Sequence, residues 1–246
     1  MWSRTDLAPS YANRDLRAVE TTILLRYRDD LAGRVLELGC GAGRLTGHLL
    51  DVASDVEVLD VSLTMLEACL GAYPAAHGVL GDIRDLSGFP DAAYDAIVAG
   101  YGLIDVVGDV DRRATLAEMR RMLVPNGLLV LSTHNRDAGA DTPLARCRRG
   151  VRDFINVAVG APRWIPNRLR LTKYEREEPG YAIWNDSSHD YGALHYYITR
   201  DDEQRQLADL GFAIETCLDL DGREVSAGAR STSAELHFLA RSPARP

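Results

Sequence analysis

The chain has 246 residues, of which 46% are hydrophobic and 26% are charged, and its formal net charge is -8. This length fits one large α/β domain or one domain with a sizeable insertion, and an acidic chain is a poor general partner for nucleic acid. No run of residues approaches the ~18 uninterrupted apolar positions of a membrane span, and the N-terminus lacks the apolar core of a signal peptide, so we expect no membrane partner.

The cysteines indicate a reducing environment. Cys40, Cys69, Cys147 and Cys217 are scattered along the chain, and no two of them form a Cys-x-x-Cys pair. This spacing argues against a disulfide framework or a zinc knuckle, and it leads us to expect a cytoplasmic protein.

The first 135 residues predict a helix followed by alternating strands and helices. Apolar residues recur at helical spacing over residues 12–31, so residues 1–32 are predicted to form an N-terminal helical cap. Buried strands are predicted at "RVLELG", "DVEVLDV", "HGVLGD", "YDAIVAGYG" and "LLVLSTHN", with helices between them. Apolar strands that alternate with helices are typical of a parallel sheet covered on both faces, and they assign residues 33–135 to an α/β core.

This alternation stops after Asn135. Residues 136–167 are rich in arginine and are predicted to be irregular, and "RLRLTKYERE", "GYAIWND" and "ALHYYIT" are predicted to be strands. Residues 136–198 are therefore predicted to form a lid inserted after strand five. Thr199 begins a helix, and two final strands follow, so residues 199–246 should complete the core. The predicted fold is a Rossmann-like, seven-stranded, mostly parallel sheet with helices on both faces.

The glycine-rich stretch "VLELGCGAGRLT" follows the first strand and predicts a ligand-binding turn. Gly39, Gly41 and Gly43 lie at alternate positions, and Arg44 lies where a dinucleotide fingerprint requires its third glycine. The stretch also lacks the lysine of a P-loop. A nicotinamide oxidoreductase is therefore disfavoured, and the turn amides are predicted to hold a carboxylate.

Acidic residues at the strand ends complete the predicted ligand site. Asp60 ends strand two, where a carboxylate can accept both hydroxyl groups of a ribose. Asp82 ends strand three, where it can accept from an adenine amino group with Ile83 against the ring. Glu37 precedes the glycines and can balance an ammonium group. Together these partners describe an amino acid joined to adenosine.

The motifs "VLELGCGAGRLT", "VEVLDVSLTML", "GDIRDL", "YDAIVAGYGLID" and "MLVPNGLLVLS" resemble, in this order, those of class I S-adenosylmethionine-dependent methyltransferases of the small-molecule type. The resemblance runs from about Arg34 to Ser132 and implies S-adenosylmethionine as cofactor and S-adenosylhomocysteine as product. Tyr11 resembles the tyrosine that closes over the cofactor. The implied cofactor-binding residues are Tyr11, Glu37, Gly39, Gly41, Asp60, Val61, Asp82, Ile83 and Ala99.

The acceptor site is predicted at the ends of strands four and five and in the lid. Methyl transfer depends mainly on positioning, and a general base assists alcohol, phenol or ammonium acceptors. His134 ends strand five and is a candidate base, with a hydrogen bond to loop backbone as the alternative. In "LHYYI", strand alternation places His195 and Tyr197 on one face, and His195 is the second catalytic candidate. The predicted substrate-binding residues are Tyr101, Asp105, Asn135 and Tyr197.

No group of His, Asp and Glu has the sequence spacing of metal ligands, so no metal is predicted. Residues 141–173 contain eight basic residues and two acids. They predict either a solvated surface paired with Glu175–Glu178 and Asp201–Glu203 or a positive lid that attracts an anionic acceptor.

These observations predict methylation of oxygen or nitrogen on a small molecule, with natural products and sugars as candidates. A peptide acceptor, including its terminal carboxylate, is the close alternative. A non-catalytic cofactor-binding partner subunit also stays open. Nucleic-acid methylation is disfavoured, because "AGYG" stands where amino-methylating nucleic-acid enzymes carry an Asp/Asn-Pro-Pro-Tyr motif.

Overall fold

One sheet organises the fold, and helices pack on both of its faces. The structure is a computed structural model that describes residues 15–244. The strands are β1 (Arg34–Leu38), β2 (Asp55–Asp60), β3 (His77–Leu80), β4 (Tyr94–Ala99), β5 (Leu123–Asn135), β6 (Arg176–Glu178), β7 (Tyr181–Trp184), β8 (His195–Ile198), β9 (Ala213–Leu218) and β10 (Glu235–Arg241). The helices are α1 (Ala18–Arg26), α2 (Thr46–Leu50), α3 (Leu63–Ala72), α4 (Asp109–Met122), α5 (Pro143–Cys147), α6 (Val151–Leu171) and α7 (Arg200–Asp209).

The strand order confirms the predicted fold class. β3, β2, β1, β4 and β5 are parallel neighbours, and β10 and β9 continue the sheet in antiparallel fashion beyond β5. These seven strands form the Rossmann-like core. β8 adds to the end of β5 at His134 and Asn135, beyond the point where β4 stops, and β7 and β6 extend outward from β8. The lid strands therefore meet the core where β4 and β5 end.

Alternation along the apolar strands produces two core layers. Leu36, Ile97 and Leu129 point to the face covered by α4 and α7, whereas Val35, Val98 and Val130 point to the face covered by α1, α2 and α3. β1 and β4 are buried along almost their whole length. A parallel sheet covered on both faces requires such continuous apolar runs, and this leaves the carboxyl ends of the strands as the open edge.

The N-terminal helix is shorter than predicted. α1 covers Ala18–Arg26 rather than residues 12–31, and Glu20 accepts a hydrogen bond from the backbone N–H of Arg17 at 2.8 Å, which fixes the start of the helix. Residues 1–14 lie outside the described part of the chain, and so does Tyr11.

The arginine-rich segment is helical, and the prediction of an irregular segment followed by a strand at "RLRLTKYERE" was wrong. Thr142 caps α5, and α6 then runs for 21 residues to Leu171. Of the strand predicted at "RLRLTKYERE", only the end is a strand, which is β6 at Arg176–Glu178. Pro162 and Pro166 are normally helix breakers, yet both lie on the exposed side of α6, where water can satisfy the carbonyls that they leave unpaired. None of the helices in residues 15–244 is long and apolar enough to cross a membrane.

Candidate active site

The three glycines of the loop after β1 have different roles. All three have positive φ angles, of 69° at Gly39, 55° at Gly41 and 88° at Gly43. A Cβ atom would lie 2.6 Å from Leu103 at Gly39 and 2.8 Å from Tyr73 at Gly43, but at Gly41 it would meet no atom of the described residues within 4 Å. Gly39 and Gly43 therefore allow close packing within the protein, whereas Gly41 borders open space that a ligand can enter.

Asp60 ties this loop to the end of β2. Its carboxylate accepts hydrogen bonds from the backbone N–H of Gly41 and of Ser62, each at 2.8 Å. Each oxygen keeps a second lone pair, so the carboxylate can still accept from a ligand hydroxyl. Val61 and Leu80, each 53% exposed, lie at the ends of β2 and β3 and supply an apolar surface beside it. The Gly39–Gly43 loop, Asp60 and Val61 are called the cofactor end below.

Glu37 lies behind the loop. It is buried and accepts a hydrogen bond from the Thr46 hydroxyl at 2.6 Å. Burial raises the pKa of Glu37 to about 8, because the charged form loses its hydration. A cationic group close by would favour the carboxylate form.

The remaining predicted cofactor residues lie along the same edge. Asp82 is partly exposed and forms an ion pair with Arg84 at 2.6 Å. Ile83 is buried, and its carbonyl accepts a hydrogen bond from Thr115. Ala99 is fully buried at the end of β4. Ile83 and Ala99 are thus buried in the core, whereas Asp82 and its partner Arg84 lie at the surface.

Tyr101 follows β4 and lies between α1 and the glycine loop. Its φ angle is 61°, a left-handed conformation that is uncommon for a residue with a side chain. The ring is 52% exposed, and the guanidinium carbons of Arg17 and Arg44 lie 3.8 and 4.7 Å from its centre. These cation–π contacts hold Tyr101 at the open edge.

Asp105 and His134 form a hydrogen-bonded pair at the ends of β4 and β5. One Asp105 oxygen accepts from both the ring Nδ1 and the backbone N–H of His134, each at 2.7 Å. Nδ1 therefore carries a proton, and Nε2 has no hydrogen-bond partner among residues 15–244. Burial alone would lower the pKa of His134, but the hydrogen bond and charge of Asp105 outweigh it and raise the pKa. Any side chain at Gly102 would come within 2.9 Å of the His134 ring.

The structure corrects the prediction that Asp105 lines the substrate cleft. Its other oxygen accepts from Arg112 at 2.6 Å and from Thr133 at 2.7 Å, so its acceptor positions are occupied by the protein. Arg112 also pairs with Glu203 at 2.7 Å, and Arg112, Asp105 and Glu203 are completely buried. Asp105 therefore orients the His134 ring from the buried side of the site.

The prediction for Asn135 needs the same correction. Asn135 is fully buried, and its side-chain amide donates to the carbonyls of Ser231 and Ser233. Its side-chain oxygen accepts from the backbone N–H of Asp137 at 3.1 Å. Asn135 joins the end of β5 to the loop before β10 and leaves no group for a substrate.

A second carboxylate–imidazole pair faces the first. Asp186 accepts from His195 Nδ1 at 3.0 Å and from the Tyr197 hydroxyl at 2.6 Å, so His195 and Tyr197 share a face, as alternation predicts. Burial opposes ionisation of Asp186, but the hydrogen bond and charge of His195 outweigh it and lower the pKa. The rings of His134 and His195 stack with centres 5.1 Å apart. Asp105, His134, Asp186, His195 and Tyr197 are called the acceptor end below.

Within the described residues, one group could hold a metal ion. One ligand atom from each of His134, Asp186 and His195 lies within 4.8 Å of the others, although these residues are far apart in sequence. The Asp186 oxygen nearest His134 already accepts from His195 and Tyr197, and the two imidazole rings are nearly parallel, at 25°. Hydrogen bonds thus account for these groups without a cation, and the absence of a metal stays a prediction.

A strained turn supports Asp186. His189, Asp190 and Tyr191 have consecutive positive φ angles of 52°, 55° and 58°. The Asn185 amide donates to the carbonyls of Tyr191 and Ala193, which fixes the turn. Sequence reasoning missed Asp186 and Asn185, although the polar run "NDSSHDY" between two predicted strands was a signal for them. It also missed Arg112, for which the sequence offers no signal.

The matches to known sequences concern the core. Residues 35–127 match the family described as a methyltransferase domain. Over 99 residues the chain is 34% identical to a demethylmenaquinone methyltransferase of Paenarthrobacter aurescens, and this covers 40% of the chain and 38% of that relative. The chain spans less than half the length of the curated relatives it matches.

Solved structures share the fold over nearly the whole chain. One is the 1,6-didemethyltoxoflavin-N1-methyltransferase of Burkholderia thailandensis with bound 1,6-didemethyltoxoflavin and S-adenosylhomocysteine. It has a TM-score of 0.62 at 13% identity and covers 98% of this chain and 84% of that one. Another is the CcbJ methyltransferase of Streptomyces caelestis, with a TM-score of 0.61, 16% identity and coverage of 98% and 96%. At such low identities the likeness shows the fold.

Proposed function

We propose that this chain, whose core belongs to the class I S-adenosylmethionine-dependent methyltransferases as its motifs predicted, transfers a methyl group to oxygen or nitrogen of a small molecule. The observation that carries the proposal is the position of the two ends of the site. The cofactor end lies where β1 and β2 stop, and the acceptor end lies where β4 and β5 stop, on the same edge of one sheet.

The cofactor end fits S-adenosylmethionine by its chemistry. The open space at Gly41 admits a ligand to the loop backbone, and the Asp60 carboxylate suits ribose hydroxyl groups. The exposed Val61 side chain offers an apolar surface to the adenine ring. When bound, S-adenosylmethionine supplies an electrophilic methyl group. Glu37, Gly39, Asp82, Ile83, Ala99 and Tyr11 stay proposed contacts of this site.

At the acceptor end, the chain's own residues hold the acceptor and take its proton. His134 donates through Nδ1 to Asp105, so Nε2 is the nitrogen that accepts a proton from a hydroxyl or ammonium group. His195 and Tyr197 lie across from it, and both are fixed by Asp186. Tyr101 forms the side of the site next to the glycine loop. This arrangement favours acceptors that must lose a proton over acceptors that are already anionic.

A small-molecule acceptor agrees with the names of similar proteins. One structural neighbour is a 1,6-didemethyltoxoflavin-N1-methyltransferase, and one curated relative is a demethylmenaquinone methyltransferase. Their acceptors do not transfer to this chain at these identities.

Transfer of an isotope-labelled methyl group tests this function. The chain is incubated with trideuteromethyl S-adenosylmethionine and separate pools of phenols, sugars, amino sugars and peptides, and products are identified by mass spectrometry. We expect a labelled product from a hydroxyl or amine pool, and roughly ten- to hundredfold less of it from Asp60→Ala at limiting cofactor. Tight cofactor binding without transfer to any pool would instead support a non-catalytic partner subunit, and transfer to peptides alone would support the peptide alternative.

A further inference from the structure

Helix α6 turns its apolar side away from the protein. At about 100° per residue, its large apolar side chains fall on one stripe. The members of this stripe are between 41% and 77% exposed and are Val151, Phe154, Ile155, Val159, Ile165 and Leu169. The opposite side carries Val157, which is buried. A surface helix normally turns its apolar stripe toward the core, so the stripe of α6 has the character of an interaction surface.

The side of α6 that faces the protein is held firmly. Arg168 donates to the backbone carbonyl of Asn185 at 3.0 Å, and the amide of Asn167 donates to the carbonyl of Asp190 at 3.0 Å. The Trp164 ring contacts Tyr191, with centres 5.5 Å apart. The apolar stripe is thus outward-facing because polar and aromatic contacts fix the other side.

A row of arginines borders the stripe along one edge. Arg152, Arg163 and Arg170 are separated by about three and about two helical turns, so they project on the same side of the helix. None of the three forms an ion pair with another residue of the described chain, whereas Arg149 and Arg168 are engaged with Asp141 and Glu175. The helix has a single acid, Asp153, and it lies outside the stripe. The free charge on this surface is therefore positive.

We propose that α6 lies flat on an anionic lipid bilayer, with the stripe in the interface and Arg152, Arg163 and Arg170 at the lipid phosphates. An amphipathic helix with a basic edge binds such surfaces through apolar burial and electrostatic attraction together. The helix is about 30 Å long, which suits contact along its length rather than insertion across a membrane. The sequence-based expectation of no membrane partner rested on the absence of a spanning segment, and it does not address a helix that lies on the surface.

The charge pattern disfavours a second copy of this chain as the partner. Two copies joined through the same stripe would bring two arginine rows into one interface, where the stripe offers no acid to neutralise them. An anionic surface neutralises the row and covers the apolar side chains at the same time. The proposal goes beyond methyl transfer and does not depend on the identity of the acceptor.

Vesicle flotation of the full chain tests the proposal. Vesicles of phosphatidylcholine alone are compared with vesicles that contain one-third phosphatidylglycerol, at low and high salt. We expect flotation with the anionic vesicles only, and a loss of binding at high salt because the attraction is screened. Replacing Arg152, Arg163 and Arg170 with Gln should weaken binding about a hundredfold, since each basic residue near an anionic surface contributes about a factor of five.

Matched variants make the result specific. Phe154→Ser with Ile155→Ser should also abolish flotation, whereas Val110→Ser, at an exposed valine on α4, and Arg223→Gln should not change it. Cofactor affinity should stay normal in every variant, which verifies folding. Failure to float, equal binding to neutral vesicles, or unchanged binding of the arginine variant would overturn the proposal. So would a concentration-dependent dimer that the α6 variants abolish and that does not bind vesicles.

Discussion

The two ends of the site are built from different kinds of contact. At the cofactor end, backbone N–H groups of the loop and of Ser62 bond to one carboxylate, and Gly41 leaves the loop open. At the acceptor end, two imidazole rings each depend on a buried carboxylate, and those carboxylates depend in turn on Arg112, Thr133 and Tyr197. A change at the cofactor end should therefore act locally, whereas a change at the acceptor end should disturb a coupled network.

The largest effect is expected at His134. His134→Ala should lower kcat by about 10²–10⁴, the usual range for loss of a general base, and leave cofactor affinity unchanged. Added imidazole should restore part of the rate, because it can occupy the space left by the ring and donate a hydrogen bond to Asp105. Steady-state kinetics and calorimetry provide both values, and His77→Ala, at a side chain that is 74% exposed, is the control. An unchanged rate would show that His134 is structural.

A smaller, local effect is expected at the cofactor end. Asp60→Ala should weaken S-adenosylmethionine binding by about 1.5–3 kcal/mol, the scale of hydrogen bonds to a charged group. Asp82→Ala should cost less, since this partly exposed carboxylate is already paired with Arg84. Calorimetry of the two variants compares them directly, and kcat at saturating cofactor should stay normal in both. Equal losses would contradict the different roles of the two acids.

The pH dependence of stability and of kcat/KM should distinguish the acceptor end from the cofactor end. Because the folded-state pKa of His134 is raised, its protonation stabilises the fold below its ordinary pKa of about 6.5, and this contribution is lost as pH rises through the folded pKa. The free base appears only above that raised pKa, so kcat/KM should increase with pH across a value above about 6.5. Chemical unfolding and rate profiles measure the two effects. In His134→Gln both profiles should flatten, while cofactor binding keeps its pH dependence.

The smallest effect is expected from removal of metal ions. Since the Nδ1 atoms of His134 and His195 and the Asp186 oxygen between the rings are already hydrogen-bonded, extensive treatment with a chelator should leave the rate unchanged. Metal analysis of the purified chain and assays before and after dialysis test this. Loss of activity that one divalent ion restores would show that these three residues form a metal centre.

The proximity of the glycine loop and Asp60 was predictable from sequence, because they follow two adjacent predicted strands, whereas their role in cofactor binding stays a prediction. The glycine loop, Asp60 and Asp82 each follow a predicted strand, and parallel strands bring their ends together. The acceptor end was only partly predictable, since His134 meets Tyr197 by strand pairing across the whole lid. Burial of Asp105 and Asn135 depends on Arg112 and on the loop before β10, which no local pattern reveals. The helix α6 was missed because Pro162 and Pro166 are normally helix breakers, although its apolar residues recur at helical spacing.

The turn at His189–Tyr191 has a mechanical consequence. Left-handed backbone costs about 1–2 kcal/mol for each residue with a side chain. Hydrogen bonds offset this cost here, because Asn185 donates to the Tyr191 carbonyl and Asn167 of α6 donates to the Asp190 carbonyl. We expect this turn to move together with α6, because hydrogen bonds join it to Asn185 and to Asn167 of that helix. Binding of α6 to anionic vesicles should therefore change amide hydrogen exchange at residues 185–193, which include Asp186. Unchanged hydrogen exchange at these residues would show that the turn does not respond to binding at α6.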